Sequence, residues 1–128
     1  MNRKWRLAVV FSAFIAVGAS PRQGSELKDV MHEKLEQAQK ILAAVVTSDW
    51  ASLETHSRQL ERLTQDPRWT ALKYPEYARY SGAFVRAVQD LRQAAAQRDL
   101  EKAPKAYVTV TLQCVECHRY LARARIAR

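Results

Sequence analysis

The sequence predicts an all-α fold of four long helices joined by short links, and three observations carry that expectation. Beyond residue 19 the chain is rich in Ala, Leu, Gln, Glu, Lys and Arg, residues that lose little side-chain freedom in a helix. Helix breakers are few: only Gly24 and Gly82, with prolines only at 21, 67, 75 and 104. Apolar residues recur three and four apart through four stretches, and no stretch alternates as a half-buried strand would. There is no internal repeat and no low-complexity tract.

Residues 1–19 read as a targeting segment. Arg3, Lys4 and Arg6 form a basic start, Leu7 to Val17 is an apolar run, and Val17-Gly18-Ala19 offers the small residues a signal peptidase accepts, with cleavage expected after Ala19. The run falls short of the about 20 apolar residues a membrane span needs; an uncleaved anchor is the alternative, because the two differ mainly in the length of this run. Residues 20–128 then form one exported domain, expected in the periplasm of a bacterium.

The first helix is expected from Ser25, as N-cap, to Thr47, with Leu27, Met31, Leu35, Ala38, Leu42 and Val45 inward, joined by Val30 and Ile41. His32 shares its side with Glu36 and Gln39 and reads as a solvated surface histidine. Ser48 or Asp49 caps the second helix, Trp50 to Gln65, where His56 falls beside Leu53, Leu60 and Leu63 and suits a structural hydrogen bond. Asp66 to Tyr74 is the longest irregular stretch, with Trp69 and Leu72 tucked inward. Pro75 opens the third helix, to Gln97, whose inward stripe includes Tyr77, Ser81, Phe84, Val88 and Leu91. An aromatic stripe of this kind serves as core and, beside a cofactor, as its wall. Asp99 caps the fourth helix, which tolerates Pro104 if it starts near Lys102 or Ala103. Leu100, Tyr107, Val110, Cys114, Cys117 and Leu121 share its inner side, and Arg119, Arg123, Arg125 and Arg128 make its end basic.

Five residues of that helix carry chemistry: Cys114-Val115-Glu116-Cys117-His118. On a helix the thiols three apart and the imidazole four from the first leave one side of a single turn. Two thiols so placed can form thioethers to the vinyl groups of one porphyrin edge while the imidazole ligates the iron, so the pattern reads as a c-type haem attachment site. Three other readings stand beside it. A thioredoxin-like redox pair belongs with a βαβ pattern, which is missing here. A zinc site would need His32 or His56 as fourth ligand, although structural zinc sites more often use a second close-spaced pair. A disulfide across three helical residues would constrain the unfolded chain little. Export leaves no further cysteine to build a disulfide framework, so core and cofactor must hold the domain.

Antiparallel helices with short links and Cys-x-x-Cys-His on the last one resemble the class II c-type cytochromes, an antiparallel four-helix bundle family that includes cytochrome c-prime. The resemblance covers nearly all of residues 20–128, and its most specific match is the fourth helix, where Arg98-Asp99-Leu100-Glu101-Lys102 opens the segment and Tyr107 and Val110 precede Cys114. It implies one covalent haem c on Cys114 and Cys117, with His118 as proximal iron ligand. In the family's low-spin electron carriers a methionine of the first helix is the distal ligand, and Met31, flanked by Leu27 and Leu35, resembles it. A core-filling methionine is the bland reading of the same residue. Two features depart from the family pattern. Leu121 and Ala122 stand where an aromatic and a basic residue are common, and Lys28 lies three rather than four residues before Met31.

The expected function is one-electron transfer with no substrate turned over. The chain offers no nucleophile beside an organised base, no carboxylate pair and no phosphate-binding loop. The alternative is a five-coordinate haem that binds nitric oxide or carbon monoxide, differing at Met31; a haem-free metal-binding module is a third class. The chain carries +8. Removing Arg3, Lys4 and Arg6 from 21 basic residues leaves 18 against 13 acidic ones, a net +5. Two haem propionates bring this to about +3. Such a surface suits redox partners with acidic docking faces, and export removes nucleic acid from consideration. Pairing of two copies through the first two helices is a further expectation.

Overall fold

The computed structural model describes residues 21–124. The expected signal segment at 1–19, with its cleavage after Ala19, and the arginines at 125 and 128 lie outside the described residues. The chain forms α1 (Pro21–Thr47), α2 (Trp50–Leu63), a single turn α3 (Pro67–Thr70), α4 (Pro75–Ala96) and α5 (Lys102–Ala124), with no strand among the described residues.

Two of the links are built alike. The Ser48 N–H donates to Val45 O (3.3 Å) and Asp49 N–H to Ala44 O (2.9 Å); in the same way Arg98 N–H donates to Ala95 O (3.0 Å) and Asp99 N–H to Ala94 O (3.1 Å). This pair of bonds satisfies the last carbonyls of a helix and needs a left-handed residue at its centre. Ser48 (φ 55°) and Arg98 (φ 51°) take that conformation without being glycine. Each is followed at once by the N-cap of the next helix. Asp49 accepts from Ser52 N–H (3.1 Å) and Ser52 Oγ (2.6 Å), and Asp99 from Glu101 N–H (3.0 Å) and Lys102 N–H (2.8 Å). Of the two cap candidates before α2, Asp49 is the one used.

Three expectations change. Ser25 caps nothing: α1 already runs through Pro21, and Ser25 Oγ donates back to Arg22 O at 2.8 Å. The irregular stretch contains α3, because Asp66 accepts from Arg68 N–H (2.8 Å) and Pro67 supplies a first helical residue that needs no donor. Leu35, Leu42 and Leu100 are exposed (56%, 47% and 66%) rather than inward.

The buried cluster runs through all five helices, with Val30 and Ile41 from α1, Leu53 and Leu60 from α2, Trp69 from α3, Phe84 and Leu91 from α4, and Val110 from α5. α1 packs on α2, α2 on α4 and α4 on α5, while α1 and α5 meet only sparsely. The positions of Leu35 and Leu42 follow from that, since α1 is covered on its α2 flank and open on its α5 flank. α3 is tied to α1 by Arg68, which reaches Asp66 (2.7 Å) and Glu33 of α1 (3.0 Å). Among the described residues no helix is long and apolar enough to cross a membrane.

Candidate functional site

Where α1 and α5 diverge, a cavity of about 290 Å³ opens between them, backed by α3 and α4. One hydrogen bond closes the seam at one end, from Tyr107 Oη on α5 to Ala38 O on α1 (3.1 Å). Seven residues further along α5, two helical turns, Cys114 faces the cavity; Cys117 and His118 follow on the next turn, as the helical spacing requires. From the opposite wall α1 contributes Met31, half-buried and packed on the core, and Lys34 one turn later. The fold thus gathers four residues singled out from the sequence, Cys114, Cys117, His118 and Met31, around one space.

Both cysteines are free thiols, and burial is the largest influence on each, pushing their pKa values up. His118 is exposed and lies at the rim, where with Cys114 it also borders a shallow groove on the outer side of α5. His32 is exposed as expected, yet it sits on the rim as well. His56 belongs elsewhere: its Nδ1 meets Gln37 Oε1 at 2.9 Å and Gln59 Oε1 at 3.3 Å, the structural role expected of it. Neither histidine completes a zinc set with the cysteines, and among the described residues no three His, Cys, Asp or Glu side chains converge as around a lone metal ion.

The back wall is aromatic. Trp69 and Phe84 meet edge to face with centroids 5.7 Å apart and planes at 76°. Trp69 is fixed from behind, because the buried Tyr77 Oη donates to its carbonyl at 2.7 Å. Tyr80 and Tyr120 stack at 5.3 Å beside the opening. Ser81 Oγ, on the α4 wall, is buried and has no hydrogen-bond partner among the described residues.

Sequence reasoning missed Lys34. Its ammonium lies 3.8 Å from the centroids of both Trp69 and Phe84. Burial lowers its pKa to about 8, and the nearby Cys114 and Cys117 oppose that shift. The available signal was its place three residues after Met31, on the inward stripe, where a charged residue is unexpected. No family model, curated protein or solved structure matches this chain.

Proposed function

We propose that this protein is an exported one-electron carrier of the class II c-type cytochrome kind, with one haem c attached through Cys114 and Cys117. The observation that supports it most is the convergence of two half-buried thiols, a rim histidine and a methionine from another helix on one largely apolar cavity. The donor set and the lining fit that group: thiols for thioethers, nitrogen and thioether sulfur for axial ligation, and aromatic walls for a flat macrocycle. When bound, the haem iron supplies the Fe(III)/Fe(II) couple.

The remaining work belongs to the chain. α5 would hold the haem through Cys114 and Cys117 and offer the His118 imidazole to its iron, and α1 would offer the Met31 thioether. Trp69, Phe84, Leu60 and Val110 keep water from the site, which with His/Met ligation favours a high potential. We read the four long helices as an antiparallel bundle, an arrangement supported by the two-residue link Ser48-Asp49 between α1 and α2, which pack together. Export by residues 1–19 would place the protein in the periplasm, where the basic surface suits acidic redox partners. Electron transfer, rather than catalysis, is the reading the site supports.

The optical spectrum of the exported protein in both oxidation states, set against Met31→Ala, tests this. Low-spin bands that turn high-spin in the variant, with loss of a methionine-to-iron charge-transfer band, are expected. A high-spin native spectrum, unchanged by the substitution and shifted by carbon monoxide, would instead assign the protein to gas binding. A mature protein without covalent haem would end the proposal.

A further inference from the structure

We infer that the Lys34 ammonium is a built-in positive charge in the wall of the cofactor cavity that holds the haem in its reduced state and so raises its midpoint potential. The inference rests on the haem reading above.

The placement is unusual for a lysine. Its Nζ is set 3.8 Å from two aromatic centroids, in a wall that also carries Leu60 and Val110. Several other cations on these helices have carboxylate partners: Lys40 pairs with Glu36, Arg68 with Asp66 and Glu33, Arg92 with Glu61. Among the described residues Lys34 has neither an ion pair nor a hydrogen bond. The ring faces attract an ammonium but carry no net charge to cancel it.

The surrounding groups do not cancel it either. The titratable side chains that face the cavity are Lys28 and His32 from α1, Tyr80 from α4, and Cys114, Cys117 and His118 from α5, while α2 and α3 present Leu60 and Trp69. No carboxylate is among them. Attachment would consume both thiols, the only groups there that can become anionic near neutral pH. The contribution of the lining side chains to the field inside the cavity is then positive, and low-dielectric walls screen it poorly. Reduction lowers the charge of the bound group by one, so a neighbouring cation favours the reduced form.

The test uses the haem-loaded protein. Midpoint potential, spin state and covalent haem content are measured for the native chain and for Lys34→Met, Lys34→Gln and Lys34→Arg. The neutral variants are expected to move the Fe(III)/Fe(II) equilibrium about tenfold towards Fe(III), a fall of 59 mV for a one-electron couple. The spin state should stay native, and Lys34→Arg should keep the native potential. Neutral variants with native potentials, or an arginine variant that falls as far as they do, overturn the inference. So does a low-spin spectrum that survives Met31→Ala and becomes high-spin in Lys34→Met, which would put the amine on the iron. If the neutral variants take up no haem, the native potential is followed against pH. It should fall as Lys34 loses its proton, and a profile that stays flat from neutrality through the ordinary lysine range overturns the inference. A native chain exported without covalent haem overturns the haem reading itself and is told apart by its empty visible spectrum.

Discussion

Two tyrosines illustrate how surroundings decide the worth of one hydrogen bond. Tyr77 Oη donates to Trp69 O in the buried core, whereas Tyr107 Oη donates to Ala38 O at a half-buried seam. Tyr77→Phe leaves a buried carbonyl unsatisfied and should cost about 1–3 kcal/mol, while Tyr107→Phe, whose orphaned carbonyl water can reach, should cost about 0.5–1.5 kcal/mol. Thermal unfolding of the two variants checks the order. Tyr77→Phe should also loosen Trp69 and dull the near-ultraviolet dichroism of its ring. The gathering of Cys114, Cys117 and His118 on one side of α5 was legible at this scale, because their spacing of three and four residues fits one helical turn. Lys34 was not, because the amphipathic reading assigns charge to the solvent side, and only the fold reveals that two rings receive this one.

At the scale of the element, the links rather than the helices hold the strain. Ser48 and Arg98 occupy the left-handed region at the ends of α1 and α4, a conformation that costs a residue with a Cβ about 1–2 kcal/mol. Ser48→Gly and Arg98→Gly should each stabilise the fold by about 0.5–1 kcal/mol, the relief less the entropy glycine loses, as chemical denaturation would show. The caps beside them respond to pH. Hydrogen bonds from the Ser52 hydroxyl and N–H hold the Asp49 carboxyl below its ordinary value of 3.8, and the Lys102 and Glu101 N–H groups do the same for Asp99. A carboxyl depressed by folding contributes its full stability above the unfolded pKa and loses it as pH falls through the folded one. Asp49→Ala and Asp99→Ala should therefore weaken the protein at neutral pH and flatten its stability curve below about pH 4. Helix spans were readable to within a few residues because caps and prolines punctuate the chain. The exposure of Leu35 and Leu42 was not, since periodicity gives the width of a stripe and not which neighbour covers it.

For the whole molecule, the haem reading proposed above makes charge the control on encounters and the seam the control on loading. With a net +5 beyond residue 19, electron transfer to an acidic partner should slow steeply as salt is raised from 10 mM to 1 M, while transfer to a neutral small-molecule oxidant changes little. The sparse contact between α1 and α5 has its own consequence. Leu35 and Leu42 on one side and Val108, Leu112 and Val115 on the other are exposed along those two helices. Without a cofactor to bridge them, α1 and α5 meet only sparsely, so local opening should begin along that seam. A Cys114→Ala, Cys117→Ala chain should accordingly be nicked first within α1 or α5 in limited proteolysis, while the loaded protein resists. If the chain carries the haem proposed above, a cell would sort finished molecules from unfinished ones by lifetime alone, with its ordinary proteases acting as inspectors of cofactor insertion.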